Sequence, residues 1–243
     1  MRVCGEAPHV MAMLHLVKTR VLVVAAVLFS SLGIGAEPAP DAREILRSVR
    51  LNQSSENRTL IGRLRTGPTT IPFRMVIDGP VIRYDFSNPP QALLLRLGEN
   101  SSTLEELSGG DRSKVTPAKY DTRVRGTDIS YEDLSMRFLY WPVARVEGSD
   151  KMLTRSCWVV SVQPGRGDSQ YSRVKLWIEK NSGALLQAEA FDSAGKFARR
   201  FKVVSGQRVD GAWFLKQMRI ESAPQPGAKD RTPTYLEVQK VGS

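Results

Sequence analysis

The residues best suited to chemistry are few. Of the two cysteines only Cys157 lies beyond residue 36, and both histidines, His9 and His15, fall before it. A thiol attacks as its thiolate, so Cys157, set beside Trp158 in an apolar run with no imidazole to take its proton, reads as a small core residue. Beyond residue 36 neither a Ser-His-Asp or Cys-His relay nor a His-ligated metal site can be built, and a disulfide within the chain is excluded too. Asp128, Glu132 and Asp133 lie close together, and a pair of carboxylates is what glycoside hydrolysis uses. Nothing else in the chain asks for that chemistry. These side chains read instead as caps of a helix and as ion-pair partners of Arg123 and Arg125. Gly165-Arg166-Gly167 is too short for a phosphate-binding loop and lacks its flanking strand and helix. The expectation is a binding protein, not an enzyme, with no catalytic residue, no metal and no cofactor.

The stretch that must position these carboxylates is Arg125 to Pro142, RGTDISYEDLSMRFLYWP. Ser130 followed three residues later by Asp133 is a helix start, because the hydroxyl takes an orphan amide and the carboxylate suits the positive end of the helix. Ile129 and Leu134 flank it as a hydrophobic staple. Tyr131, Leu134, Phe138 and Trp141 then recur on one face, Met136 and Tyr140 add apolar surface on a second, and Pro142 ends the helix. A short helix greasy on two sides needs cover from a sheet. It is either an ordinary packed helix or a lid over an apolar cavity.

At the N-terminus Arg2, Lys18 and Arg20 precede the apolar run Val21 to Leu32, and Gly33, Gly35 and Ala36 follow it. That is the layout of a secretory signal peptide, 1–36, with an apolar core short for a bilayer span. An uncleaved N-terminal anchor is the competing reading. No cysteine for lipid attachment ends the run, so the expectation is a periplasmic protein, free of a lipid anchor, that starts near Glu37. Residues 1–36 hold three of the 35 Lys and Arg and one of the 25 Asp and Glu, which leaves the remainder a net charge of +8. The basic residues are scattered, with Arg199, Arg200 and Lys202 the nearest to a cluster. Attraction to an anionic lipid surface or an acidic partner suits an exported chain better than nucleic acid does.

Residues 37–243 are enough for one substantial core and read as one domain. Asp41 caps a helix to about Leu51 that buries Ile45, Leu46 and Val49. Period-two patterning follows: Ile71, Phe73, Met75 and Ile77, then Ile82, Tyr84 and Phe86, then Leu93, Leu95 and Leu97. Ser108 to Lys114, with Gly109 and Gly110, reads as a loop. Beyond the central helix come Trp158, Val160 and Val162, then Val174, Leu176 and Ile178. Strands over 185–191, 197–204, 213–221 and 234–241 follow, punctuated by turns such as Asp192-Ser193-Ala194-Gly195 and Asp210-Gly211. The fold class is mainly β (α+β): a single antiparallel sheet of roughly ten strands with short helices.

RGTDISYEDL, with the later CWVV, VKLWIEKNSGALLQAEAFDSAGK and VDGAWFLKQMRIES, resembles the outer-membrane lipoprotein-sorting proteins. These are relatives of the periplasmic lipoprotein carrier and its outer-membrane receptor, and the likeness runs from about Asp41 to the C-terminus. It implies a strongly curved half-barrel whose concave, apolar side is closed by short helices. It also implies a carrier or chaperone for the acyl chains of a lipid or lipoprotein, with an inner-membrane permease or an outer-membrane receptor as partner. The alternative on the same scaffold is a sensor that reads a hydrophobic or lipidated protein. On either reading the protein is a monomer. The cavity lining expected from the alternation is Phe73, Met75, Ile82, Tyr84, Leu93 and Leu95, with Leu134, Phe138 and Trp141 closing over it.

Overall fold

A computed structural model describes residues 40–54, 57–165, 169–224 and 231–242; the expected export segment 1–36 lies outside them, as do Arg166 and Gly167. Helix α1 (Ala42–Ser54) starts where the Asp41 carboxylate accepts the N–H of Arg43 at 3.0 Å, and it buries Ala42, Ile45, Leu46 and Val49. Six strands follow, β1 (Asn57–Thr66), β2 (Thr69–Asp78), β3 (Val81–Phe86), β4 (Gln91–Leu97), β5 (Ser102–Ser108) and β6 (Asp111–Lys114). Residues 115–142 form a connection of short helical pieces, including α2 (Tyr131–Ser135). Seven strands complete the chain: β7 (Val143–Met152), β8 (Arg155–Gln163), β9 (Arg173–Glu179), β10 (Leu185–Phe191), β11 (Phe197–Val209), β12 (Ala212–Ser222) and β13 (Thr234–Gly242).

All thirteen strands join one open antiparallel sheet, ordered β6-β5-β4-β3-β2-β1-β13-β12-β11-β10-β9-β8-β7. Chain order is broken once, where β13 pairs with β1 and so joins a sheet half running from β1 out to β6 to a half running from β7 back to β13. Because β6 and β7 are opposite edges, the connection between them must travel from edge to edge. It does so across the inner face. Register shifts at Ile61/Gly62, Val146/Gly148, Ala190/Phe191 and Val203/Ser205 add the bends a curled sheet needs.

The pairing carries one apolar face through the whole sheet. Met75 opposes Leu60 and Tyr84, Tyr84 opposes Leu93, and on the far half Ala188 opposes both Phe201 and Leu176, which opposes Val160. Gly62 holds an inward position opposite Phe73, where an added Cβ would lie 2.7 Å from the Phe73 ring and 2.3 Å from the carbonyl oxygen of Glu237. Only a residue without a side chain lets the ring lie there. The same glycine removes the inward apolar side chain that would have announced β1.

Three sequence expectations are corrected. The sheet has thirteen strands, not about ten, the additions being β1, β5, the polar β6 and the largely exposed edge strand β7. The stretch Ser108 to Lys114 is no loose loop: Gly109 and Gly110, both at positive φ, form the turn from β5 into β6, whose Lys114 pairs with Glu105. The central helix is not continuous either, as described below.

Cys157 lies in β8 on the outer face, wholly buried in a small cluster with Val159 and Trp177, against which Met152 and Leu186 pack. Its thiol points at the Arg155 carbonyl at 3.6 Å, and burial pushes its pKa up. A protonated, enclosed thiol is inert. Cys157→Ala should cost on the order of 1 kcal/mol in a urea unfolding experiment and leave function intact. A folded Cys157→Ala protein that had lost all activity would show that the thiol does more than fill space.

Candidate ligand cavity

The connection is fastened at several points before it reaches the second half of the sheet. Val115 N–H donates to the Leu104 carbonyl at 2.8 Å, and a 3-10 turn covers Pro117–Lys119. Ser130 then caps α2 through the capping box its spacing predicts: its N–H donates to Asp133 Oδ2 at 2.7 Å, and its hydroxyl accepts the Asp133 N–H at 3.3 Å. The helix stops after Ser135 because Met136 adopts the left-handed conformation (φ 51°, ψ 25°), and a 3-10 turn, Arg137–Tyr140, follows.

That break decides what the connection covers. Tyr131 and Leu134 pack on a core built from Leu64, Phe73, Ile82, Tyr84, Leu93 and Leu95, whereas Phe138 and Trp141 pack on a second core of α1, Leu139, Val160, Val174 and Leu176. The four side chains therefore do not share one helical face. A straight helix would have served a single cluster, and the turn at Met136 lets one short segment serve both. Met136 itself packs against each.

Between the two cores lies a cavity of about 430 Å³, within the roughly 300–1,000 Å³ usual for ligand pockets. Its walls are Met75, Ile77, Ile82 and Tyr84 on one side, Val49 of α1 and Met136 above, and Leu185 and Trp213 on the other. Strands far apart in sheet order thus face one space, which shows how far the sheet curls. The polar lining is sparse: Asn52 and Ser182, joined by a hydrogen bond from Asn52 Nδ2 to the Ser182 carbonyl at 2.5 Å, sit with the Tyr84 hydroxyl among otherwise apolar side chains. Burial raises the Tyr84 pKa, so the phenol stays neutral.

The carboxylates fasten the connection to the sheet. Asp128, 3 % exposed, meets Arg231 Nε at 3.1 Å, Arg123 Nη1 at 3.6 Å and the Ser222 hydroxyl at 3.0 Å. The expected Arg123 pairing is present. Arg125 instead donates to the carbonyls of Asn88 and Pro89, its backbone being left-handed (φ 55°) and pointing the side chain away from the acids. Asp133 forms a buried ion pair with Arg199 of β11 and accepts the Tyr171 hydroxyl at 2.8 Å. Glu132 Oε2 accepts the Gln170 N–H at 3.1 Å, while Oε1, buried, has no partner among the described residues. All three carboxylates are turned into anchors. Among the described residues no group of acidic, histidine or cysteine side chains is arranged to hold a metal ion.

Of the nine residues expected to line a cavity, Met75, Ile82 and Tyr84 do border this one. Phe73 and Leu134 border, with Met75 and Tyr84, a narrow cleft of about 20 Å³ beneath the connection. Leu93 and Leu95 are fully buried core, and Phe138 and Trp141 belong to the second cluster. Sequence reasoning passed over Val49, Ile77, Met136, Leu185 and Trp213. Ile77 continues the alternation of Phe73 and Met75, and Val49 stands on the apolar side of α1, so both were readable. Met136 and Trp213 owe their places to a left-handed turn and a hairpin tip, which no periodicity announces.

Solved structures share this architecture. A Vibrio parahaemolyticus domain described as an outer membrane lipoprotein-sorting protein domain superposes with a TM-score of 0.67 at 14 % identity, covering 83 % of this chain and 91 % of its own. A DUF1329 family protein from Desulfovibrio piger gives 0.63 at 16 % identity (84 % and 93 %), and a LolA superfamily protein from Nitrosomonas europaea gives 0.59 at 13 % (84 % and 93 %). At such identities the likeness is one of fold, and the fold is LolA-like. No curated protein matches the sequence. A family model described as "Uncharacterized protein" matches residues 111–241, more than half of the chain and all of the connection with its anchors, and the chain belongs to that family.

Proposed function

We propose that the protein is a periplasmic carrier that takes the acyl chains of a lipid or lipoprotein into the cavity between its two cores. The observation that carries this reading is that apolar cavity of about 430 Å³, roofed by a connection that reverses at Met136. Burying an acyl chain gains about 0.8 kcal/mol per methylene, so sixteen carbons represent roughly 12 kcal/mol. A membrane offers the same gain. A carrier must therefore match the bilayer without exceeding it, and an apolar space with few polar anchors under a divided cover suits that balance better than a tight polar pocket. On this reading residues 1–36 are removed on export, residues 37–243 act as one monomeric domain, and an inner-membrane permease or an outer-membrane receptor is the partner.

The test is to purify the exported protein from its host, identify co-purifying lipid or lipoprotein by mass spectrometry, and titrate it with a fluorescent acyl probe. Met75→Asp, which puts a charge into the cavity from a partly buried position, should abolish loading while circular dichroism stays native. Absence of bound lipid, no probe uptake and no response to the substitution would together reject the carrier. Capture of a protein in place of lipid would leave the sensor on the same scaffold.

A further inference from the structure

Beyond the cavity itself, the sheet carries a feature that acyl binding does not require. Strand β11 pairs with β10 only as far as Lys202, and β12 pairs with β13 only from Gln217, yet β11 and β12 continue to pair with each other out to Val209 and Ala212. Residues 203–216 therefore form a two-stranded ribbon that outruns both neighbours. Such ribbons are marginal in water on their own. This one nevertheless presents Trp213 at 63 % exposure, its indole lying across Gly206, where an added Cβ would be 3.3 Å from the ring. Leu153, in the β7–β8 turn, is 46 % exposed beside it. Trp213, Phe214, Leu153 and Arg155 border one groove of about 440 Å³, which adjoins the cavity through Ser182, Ala184, Leu185 and Trp213.

Cations sit over the aromatic rings. Arg155 lies 5.9 Å from the Trp213 ring and Arg58 lies 5.8 Å from that of Phe214. Arg58, Arg155 and Arg208 form no ion pair among the described residues, whereas Arg63, Arg65, Arg200 and Arg219 in the middle of the sheet are all paired. The ribbon also carries one further cation, Lys216, and one carboxylate, Asp210, and the nearby Glu179 carboxylate accepts the Ser182 N–H and hydroxyl at 2.6 and 2.5 Å and feels the Arg155 charge. An exposed tryptophan and leucine flanked by guanidiniums that form no ion pair among the described residues have the chemistry of the headgroup zone, where indole rings and arginine side chains with apolar stems and charged tips both settle.

We infer that this rim, the β11–β12 ribbon with the β7–β8 turn, docks on an anionic phospholipid bilayer and brings the mouth of the cavity to the membrane. The occupant is a lipid surface, because Trp213 and Leu153 are exposed beside a hairpin tip and a turn, and Arg155, Arg58 and Arg208, which pairs across the ribbon with Trp213, supply charge that matches anionic headgroups. Apolar insertion supplies depth, and the guanidiniums supply a preference for anionic headgroups that salt weakens.

The experiment is flotation of the full exported protein with vesicles of phosphatidylcholine, alone or mixed with phosphatidylglycerol, read with tryptophan emission and quenching by brominated lipid. Trp141 and Trp177 are buried and Trp158 is partly buried, so the part of the blue shift that is lost in Trp213→Ser reports the exposed Trp213. Binding should require the anionic lipid, weaken with salt, and fall about tenfold or more in Trp213→Ser and in Leu153→Glu. Leu153→Glu should leave uptake of a soluble acyl probe unchanged, which separates docking from loading. Absence of binding to the anionic vesicles would overturn the inference, as would binding that both substitutions leave unaltered. A dimer seen in sedimentation and abolished by Leu153→Glu, without vesicle binding, would also overturn it and make the rim a contact between copies.

Discussion

Asp133→Ala is expected to destabilise the protein by about 3–5 kcal/mol, the usual cost of stranding one member of a buried ion pair. The side chains of Arg199 and Asp133 are 5 % and 4 % exposed, Arg199 Nε lacks a partner among the described residues, and Asp128 acts on the guanidinium only from beyond ion-pair distance, so Asp133 carries the pair. The same substitution removes the reciprocal cap of α2, worth about 1 kcal/mol, and the acceptor of the Tyr171 hydroxyl. Urea unfolding monitored by circular dichroism measures the loss. Its origin is checked by Asp133→Ala combined with Arg199→Leu, which removes the stranded charge and should recover much of the stability. A loss under about 1 kcal/mol for Asp133→Ala alone would mean that the pair behaves like an exposed one and fastens nothing.

Arg199 also shows how far the sequence could be read. In the run Phe197 to Val203 it falls on the same parity as Phe201 and Val203, so strict alternation puts a guanidinium on the apolar face. Grouping it with Arg200 and Lys202 as a surface cluster hid that signal; in the structure Arg200 pairs outward with Glu189 while Arg199 is buried. A charge on the wrong side of an alternating strand asks for a buried partner, and Asp133 was already singled out as a cap. The link between them was not legible, because it depends on the connection crossing the sheet.

That crossing follows from topology and not from any local pattern. The strands β2, β3, β4, β8 and β9 were readable, since each carries an alternating apolar set toward the core, although β4, β8 and β9 bury part of the other face as well. Strand β1 was masked by Gly62, and β7 by its exposure as an edge strand. Nothing in the sequence placed β13 next to β1, and it is this pairing that makes β6 and β7 opposite edges and sends residues 115–142 over the concave face. The capping box and the apolar character of the connection were therefore foreseeable. Its division at Met136, and with it the position of the cavity, were not.

Glu132 should make the anchored connection sensitive to pH, and Glu132→Gln should abolish that sensitivity. Burial raises its pKa above the ordinary glutamate value, opposed by hydrogen bonds from the Ser169 hydroxyl and the Gln170 N–H and assisted by the neighbouring Asp133 carboxylate. Tyr171, whose own pKa burial raises well above normal, and Arg199, held by Asp133, are the other ionisable groups close by. The folded protein thus binds the Glu132 proton more tightly than the unfolded chain does. The stabilisation from this residue is fully present below the unfolded glutamate pKa of about 4.3 and is lost as pH rises through the raised folded value. A glutamine keeps the shape and an acceptor for Gln170 without a charge to desolvate. Glu132→Gln should therefore be nearly as stable as wild type at acid pH and more stable at neutral pH, by roughly 1–3 kcal/mol, the penalty of a buried unsatisfied polar group. The readout is the difference in urea unfolding free energy between the two proteins across that range, which cancels every other titrating group. A difference that stays flat, or that favours wild type at neutral pH, would mean that the carboxylate is ionised and satisfied where it lies.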